Sequence, residues 1–525
     1  MSDVRRFYVT GAGAPASDLA GLGGREELRI TSTAVVERTF LDTADGRLDS
    51  ADVVLEQRTP IIGGGPTTLV CVIDGRVVSS DPLEGDVPRF ADELPDGPAT
   101  ARLADLMEMR ALVPGPTVRC RVTTLAALDS EEKTTARVQV EEAVLLDGTD
   151  LPVLVEIHQL RGYQREAERL QKVLVGHMEL EPCSTTMARF ARAASGLPGF
   201  VPTKLRLRLE PSTAADAWRT VLRTLTDTMA VNFAGTVADV DSEFLHDFRV
   251  AVRRTRSVLR EGSGVLPPAA RRHFQEGFKW LGDVTTPQRD ADVHLLDFPD
   301  LVAALPPERA VALEPLRELL LEHQQACHQQ LVADLRSLRR ARLGQEWAAF
   351  LEGDGPWPEE ELGGDEPAAP DAGRAAIAVV AHRIRKAHKR LVRDGRAIDG
   401  ESPATALHDL RKDAKRLRYL LECFGSLFPV GDVATAVKPL KSLQDVLGTF
   451  QDTEVQIHAL EDFGEQLNDR GAGAATLMAI GAVIEHVAAR GAAARTEFAR
   501  RFGAFDSHSV RDAYERLSLD AERAR

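Results

Sequence analysis

Two segments of the chain repeat the same order of an imidazole, a carboxylate and several basic side chains. They are His246–Arg256 (HDFRVAVRRTR) and His408–Arg418 (HDLRKDAKRLR). On an α-helix, where successive side chains are about 100° apart, most basic groups of each segment fall on one face. Arginine can grip two oxygens of a phosphate, and lysine supplies a mobile positive charge. The spacing therefore predicts two helix faces that bind a polymer of phosphate groups.

The predicted anion-binding side chains fall into three groups. Two helix faces carry His246, Arg249, Arg253 and Arg256 in the first segment, and His408, Arg411, Lys412, Lys415, Arg416 and Arg418 in the second. A preceding basic stretch adds His382, Arg383, Lys386, Lys389, Arg390 and Arg393. Residues 374–418 carry 13 basic and five acidic side chains, although the whole chain has a formal net charge of −15. Local charge, which a binding site uses, is therefore opposite in sign to the net charge.

A solvated basic surface is the simpler interpretation of either segment alone. Like charges three or four residues apart on a helix repel by on the order of a few tenths of a kcal/mol per pair, which a bound anion would relieve. Because the whole pattern occurs twice, we favour anion binding. We expect the two histidines to be neutral at pH 7 and to gain protons when a polyanion binds. Asp290 and Asp452 are expected to be structural.

The two segments belong to a duplicated helical region. From about residue 212 the sequence has helical periodicity, and a Gly-, Pro- and Glu-rich stretch at 353–373 divides it as an acidic linker. The offset of 162 residues that aligns the segments also pairs Lys279 with Lys441 without a gap. This register predicts two similar helical bundles, in 212–352 and 374–517, related by a pseudo-twofold axis.

The region before the repeats has a different character. Residues 1–195 are predicted to form a mixed α/β domain, followed by a linker at 196–211. Alternating apolar and polar residues predict strands at Val35–Phe40, Thr67–Ile73, Thr117–Thr123, Ala136–Glu142 and Leu151–Ile157. Helical periodicity predicts helices at Gln164–Gly176 and Ser184–Ala194.

Several classes of protein fit the sequence poorly. The five cysteines are scattered and odd in number, which argues against a disulfide framework or a zinc site. No apolar run approaches the roughly 20 residues of a membrane span, and the N-terminus has no apolar signal core. We therefore expect a cytoplasmic protein with no membrane partner, no metal and no cofactor.

The duplicated segments resemble the CHAD family, the conserved-histidine α-helical domains. The resemblance covers about 212–517 and also includes Lys279–Asp283 with Arg289-Asp290, and Lys438–Asp445 with Gln451-Asp452. It implies an all-α domain of two four-helix bundles around a basic channel that binds inorganic polyphosphate, in association with polyphosphate granules. The matching cations add Arg254, Lys279, Lys438 and Lys441 to the expected binding residues. Val250 stands where the second copy has Lys412, which predicts a stronger grip in the C-terminal half.

The N-terminal region resembles the CYTH family of triphosphate tunnel proteins, which implies a β-rich α/β tunnel and an α+β multidomain chain. The resemblance lies in Thr39–Asp52 and Leu154–His158. The opening acid–x–acid–x–Lys signature of that family is missing, because Ser2–Arg6 offers only Arg6 at the ligand positions. Glu56 stands where the family has an arginine, leaving Arg58.

Metal-dependent hydrolysis needs several converging carboxylates. Glu156 is the main one retained, and Glu141 and Glu142 could compensate for those that are missing. We expect a degenerate domain rather than an enzyme, with a metal-dependent triphosphatase or polyphosphatase as the alternative. Nucleic-acid binding is a second alternative, because attraction to phosphate is independent of sequence. Aromatic residues make up only 5% of the chain, however, so surfaces for base stacking are scarce.

Overall fold

The computed structural model describes residues 4–9, 19, 27–62, 64–197, 199–200, 207–353 and 369–523. The chain divides into two compact units, residues 1–203 and 204–525. The expected linker at 196–211 includes this division, but several of its residues lie outside the described ranges, as does most of the expected acidic linker at 353–373.

One antiparallel sheet forms the framework of the N-terminal unit. Its described strands are β1 (Val4–Val9), β2 (Glu27–Thr43), β3 (Val53–Ile62), β4 (Thr68–Ile73), β5 (Arg76–Pro82), β6 (Leu112–Leu128), β7 (Thr134–Leu145), β8 (Leu154–Gln159) and β9 (Leu180–Pro182). They are arranged in the order β5-β4-β3-β2-β6-β7-β8-β1-β9. The accompanying helices are α1 (Arg47–Ser50), α2 (Thr100–Met107), α3 (Gln164–Met178) and α4 (Met187–Ala194). The predicted strands coincide with parts of β2, β4, β6, β7 and β8, whereas the other four strands were not predicted.

The sheet curls around an internal cavity of about 290 Å³. Arg6, on a strand near one edge of the sheet, and Gly75, in the hairpin at the opposite edge, both line this cavity. Side chains alternate across each strand. On β7, Val138 therefore packs in an apolar core beside α3, whereas Glu141 points into the cavity. The result is a curled sheet with a polar interior, consistent with the expected tunnel.

The C-terminal unit is helical throughout its described elements. They are α5 (Ala214–Ala238), α6 (Ser242–Glu261), α7 (Pro268–Val284), α8 (Thr286–Ala303), α9 (Pro307–Ala310), α10 (Glu314–Leu335), α11 (Leu338–Glu352), α12 (Ala376–Arg396), α13 (Ala404–Phe424), α14 (Val430–Asp469), α15 (Ala474–Phe505) and α16 (His508–Arg523). The starts of α5, α6 and α7 precede those of α12, α13 and α14 by 162 residues each, which is the offset found in the sequence.

The two repeats share one continuous apolar core. It includes residues from α5, α6 and α7 and from α12, α13 and α14. Trp218 of the first repeat packs against Phe424 of the second, with ring centroids 4.3 Å apart. A second core joins α8 and α10 to the later part of α14 and the earlier part of α15.

The repeats differ at one position, where a single long helix of the second repeat corresponds to two consecutive helices of the first repeat. Helix α7 ends at Val284 and α8 begins at Thr286, whereas α14 runs unbroken for 40 residues. Pro287, in the first turn of α8, has no backbone N–H and cannot continue the hydrogen bonds of α7. The equivalent residue of the second repeat is Thr449. The break thus coincides with Pro287 and lies beside residues that contact Arg249 of the functional site.

Among the described helices, α15 is long and apolar enough to cross a membrane by length and composition alone. From the sequence, no apolar run of this length was expected. A core helix passes the same test, and Ile480, Val483 and Val487 of α15 are buried in the second core.

Candidate functional site

The two duplicated segments lie on α6 and α13, as predicted. Asp241 begins α6 by accepting hydrogen bonds from the backbone N–H groups of Glu243 and Phe244, and Gly262 follows its last residue. Helix α13 begins directly after Pro403. Both helices carry an apolar side in the shared core, which fixes the direction of their basic faces.

The basic faces of the two repeats line one cavity of about 670 Å³. Of the predicted residues, it brings together His246, Arg249, Arg253, His408, Arg411, Lys412 and Lys415. Its described lining includes seven Arg and Lys side chains against three Asp side chains, a formal excess of four positive charges. We call this cavity the basic pocket.

Most lining residues of the basic pocket occur in pairs that are 162 residues apart. The pairs are His246/His408, Arg249/Arg411, Arg253/Lys415, Arg289/Gln451, Asp290/Asp452, Val293/Val455 and His294/Gln456. The same surface of each repeat thus faces the same space. A contact of this kind is isologous and is characteristic of two copies related by an approximate twofold axis.

Arg253 and Lys415 are equivalent cations of the two repeats, and both lack compensating contacts within the part of the chain that the structure describes. Neither makes a hydrogen bond or ion pair among the described residues. Burial, together with the charges of Arg411 and Arg253, lowers the pKa of Lys415 to about 8. The pocket therefore holds positive groups in mutual repulsion, which an anion of several charges would relieve.

Arg249 and Arg411 are equivalent but are held differently. Arg249 Nη1 donates to the Gly282 carbonyl oxygen (3.2 Å) and to the hydroxyl oxygens of Thr285 (2.8 Å) and Thr286 (3.0 Å), at the break between α7 and α8. Burial, together with the charge of Arg253, lowers the pKa of Arg249 to about 10.

In the second repeat, acidic and amide groups contact the basic residues. Arg411 Nη2 donates to the Asp452 carboxylate at 3.0 Å. Lys412 donates to Asp409, also at 3.0 Å. His408 is hydrogen bonded through Nδ1 to the side-chain oxygen of Gln451.

Two predicted binding residues, Arg254 and Arg416, instead join the repeats. Arg254 Nη2 donates to Glu422 at 2.7 Å, and Arg416 Nη2 donates to Glu261 at 3.0 Å. Burial alone would raise the pKa of Glu422, but Arg254 and Arg418 hold it below its ordinary value. These nearly reciprocal ion pairs connect α6 to α13 and position the basic faces of the two helices.

The other predicted cations are not part of the described lining of the basic pocket. Arg256 lies against Gly282, and Arg418 contacts Glu422 and Gln444. The side chains of Lys279, Lys438 and Lys441 are exposed. On α12, Arg383 donates to the Ser263 carbonyl oxygen and Arg390 pairs with Asp413. His382, Lys386, Lys389 and Arg393 form an exposed stripe on α12.

Sequence reasoning missed several lining residues. Arg289 and His294 are on α8, Asp297 follows them one turn later, and Arg490 is on α15. The offset of 162 aligns Arg289 with Gln451, so the repeat could have indicated that this position faces the pocket. No pattern distinguishes Arg490 from the other arginines of α15. Asp290, expected to be structural, lines the pocket, as does Asp452.

The cavity of the N-terminal unit contains arginines that neutralise its carboxylates. Arg38 is buried and donates to Glu56 (2.8 Å) and Glu141 (2.9 Å), and these acids raise its pKa well above the ordinary value despite burial. Arg6 donates to Glu156 at 2.6 Å. Arg58 also contacts Glu56. The acids that could hold a divalent cation are thus paired with guanidinium groups.

The described residues include no group of three or more His, Cys, Asp and Glu side chains arranged to hold a metal ion. Glu142, the other expected substitute ligand, is not among the described lining residues of the N-terminal cavity and lies 4.0 Å from Arg121. The geometry therefore gives no support to metal-dependent hydrolysis in this unit.

Residues 220–461 match the CHAD domain family. No curated protein sequence matches the chain. The crystal structure of the CHAD domain from the plant Ricinus communis is 24% identical, with a TM-score of 0.44, covering 60% of this chain and 97% of that one.

Two further solved structures are similar. PptA from Streptomyces chartreusis is 16% identical with a TM-score of 0.42, covering 55% of this chain and 99% of that one. A protein from Hippeastrum, described as a candidate adenylyl cyclase with a dominant triphosphatase activity, is 15% identical with a TM-score of 0.26, covering 37% and 97%. On the family match, the helical unit of this protein contains a CHAD domain, preceded by a β-rich unit consistent with a CYTH-like tunnel domain.

Proposed function

We propose that this protein binds inorganic polyphosphate in the basic pocket of its helical unit. The proposal rests on Arg253 and Lys415, which occupy equivalent positions of one cavity. Both are cations without partners among the described residues, and their charges repel each other. A ligand with many closely spaced negative charges would contact both repeats at once.

The symmetry of the pocket also favours polyphosphate over nucleic acid. A linear polyphosphate chain has the same structure in both directions, so it can make equivalent contacts with two equivalent halves of a site. A nucleic-acid strand has a direction and carries bases, which proteins commonly hold by stacking on aromatic rings. No Phe, Tyr or Trp is among the described residues that line the pocket.

Binding of the full-length protein to polyphosphate of one defined chain length tests the proposal. The variant R253A/K415A removes both unpaired charges, and we expect on the order of a hundredfold loss of affinity, since each charge-assisted hydrogen bond contributes about 1.5–3 kcal/mol. The control R385A/K386A removes two exposed cations of α12 that do not line the described pocket.

Affinity that is unchanged in R253A/K415A and reduced in R385A/K386A would place the site on α12 instead. Competition with single-stranded RNA distinguishes the second candidate ligand, because RNA should displace polyphosphate only weakly. Association with polyphosphate granules in the cytoplasm is part of the proposal, and loss of granule localisation in R253A/K415A would support it.

A further inference from the structure

The two repeats place equivalent arginines in the pocket, but these arginines donate hydrogen bonds to different kinds of acceptor. Arg249 donates only to neutral oxygen atoms, whereas Arg411 donates to the carboxylate of Asp452. The Arg411 side chain is 16% exposed and that of Asp452 is 70% exposed. Asp290, the equivalent of Asp452, makes no hydrogen bond or ion pair among the described residues although it lines the same pocket.

The difference originates in the residue types at the junction of α7 and α8. There the hydroxyl groups of Thr285 and Thr286 lie beside the Gly282 carbonyl oxygen, and Arg249 donates to all three groups. In the second repeat Leu447 and Gly448 occupy the positions of Thr285 and Thr286 and offer no hydroxyl group, and Arg411 instead contacts Asp452 of α14.

A carboxylate offers arginine two oxygens that share a negative charge, as a phosphate group does. Resting on the proposed function, we infer that Asp452 is an internal competitor of polyphosphate for Arg411. In the empty pocket Asp452 is bound to Arg411. The ligand must displace this carboxylate before Arg411 can bind the ligand.

This competition sets an order of engagement. Arg249, Arg253 and Lys415 are available without breaking an ion pair, whereas Arg411 and Lys412 must each release an acid. The Asp452 carboxylate and both members of the Lys412–Asp409 pair are exposed, so solvent weakens these ion pairs and a polyanion displaces them readily. Arg249 and Arg253 of the first repeat, together with Lys415 of the second, therefore make the initial contacts, although the second repeat has more basic residues and was expected from sequence to bind more strongly.

The test compares D452N with its matched control D290N in polyphosphate titrations of the full-length protein. Each substitution removes one negative charge from the same pocket at equivalent positions and preserves the shape of the side chain. Only D452N also frees an arginine. We expect D452N to bind about two- to fivefold more tightly than D290N, the range typical of an exposed ion pair.

A double-mutant cycle with R411Q identifies the cause. If the advantage of D452N depends on Arg411, it should disappear in the R411Q background. Equal affinities of D452N and D290N, or an advantage that persists with R411Q, would overturn the competitor role. In either case the wild type would still bind polyphosphate and R253A/K415A would still lose affinity, whereas absence of binding by the wild type would overturn the proposed function itself.

Discussion

Arg253 lies close enough to Lys415 to lower the lysine's pKa, and the two residues occupy equivalent positions in the two repeats. Neither has a hydrogen-bond or ion-pair partner among the described residues. Two cations whose charges repel each other destabilise the empty protein, and the proposed anionic ligand would relieve this repulsion.

Removal of one of these charges should stabilise the empty protein. We expect K415M to raise the free energy of unfolding by about 1 kcal/mol, as is common when an unfavourable charge is removed. The control K279M changes an exposed lysine outside the described pocket and should have little effect. Urea denaturation followed by circular dichroism measures both, and equal stability of K415M and the wild type would contradict the prediction.

The pKa of Lys415 also predicts how stability depends on pH. Because its pKa in the folded protein is about 8, below its ordinary value of 10.5, the unfolded chain binds more protons between these values. The destabilisation due to Lys415 is complete below pH 8 and is relieved as the pH rises from 8 towards 10.5. Relative to K415M, the wild type should therefore gain stability over this interval, and parallel pH profiles would contradict the assignment.

Polyphosphate affinity should decrease over the same interval. A bound polyanion raises the pKa of Lys415, so binding takes up a proton when the pH exceeds about 8. We expect the affinity of the wild type to fall between about pH 7.5 and about pH 9.5, an interval that contains this pKa. In K415R the charge persists, and the decrease should be smaller. An equally steep decrease in K415R would attribute it to another group.

The ion pair between Arg416 and Glu261 predicts that substitutions of two neighbouring residues on α13 will differ in their effect on stability. R416A leaves the nearly inaccessible Glu261 side chain without its inter-repeat partner, which should cost about 2 kcal/mol of stability. K415A removes an unpaired cation and should cost nothing. Chemical denaturation of the two variants compares them directly, and similar losses would show that the ion pair does not hold the repeats together.

The N-terminal unit is expected to release no phosphate from tripolyphosphate when Mg²⁺ or Mn²⁺ is supplied. Its cavity carboxylates are already paired, Glu141 and Glu56 with Arg38 and Glu156 with Arg6. A phosphate-release assay of the full-length protein tests this expectation. Metal-dependent release that is lost in E156Q would contradict it.

The repeat and the direction of its basic faces could be predicted from sequence because both depend on local spacing. Helical geometry placed Arg253 within the basic arc and Arg254 outside it, and in the structure Arg253 lines the pocket while Arg254 pairs with Glu422. The basic stripe of α12 shows the limit of such reasoning. Spacing shows which side chains share a face, whereas the direction of that face depends on the packing of other helices.

The missed strands have a related physical explanation. Strand β3 includes Glu56 and Arg58, which pair with each other. Strands that carry charged groups towards an enclosed cavity lose the simple alternation of buried apolar and exposed polar residues. The same inward charges that define the cavity therefore conceal the strands that carry them.

The twofold construction of the basic pocket has a statistical consequence for a ligand made of identical units. A chain much longer than the pocket can bind in many registers, each of which presents the same groups to the same side chains, and in either direction. The number of such registers increases with chain length, and a tenfold increase is equivalent to about 1.4 kcal/mol of apparent binding free energy. Preference for long chains would then arise from multiplicity, without any contact beyond the pocket.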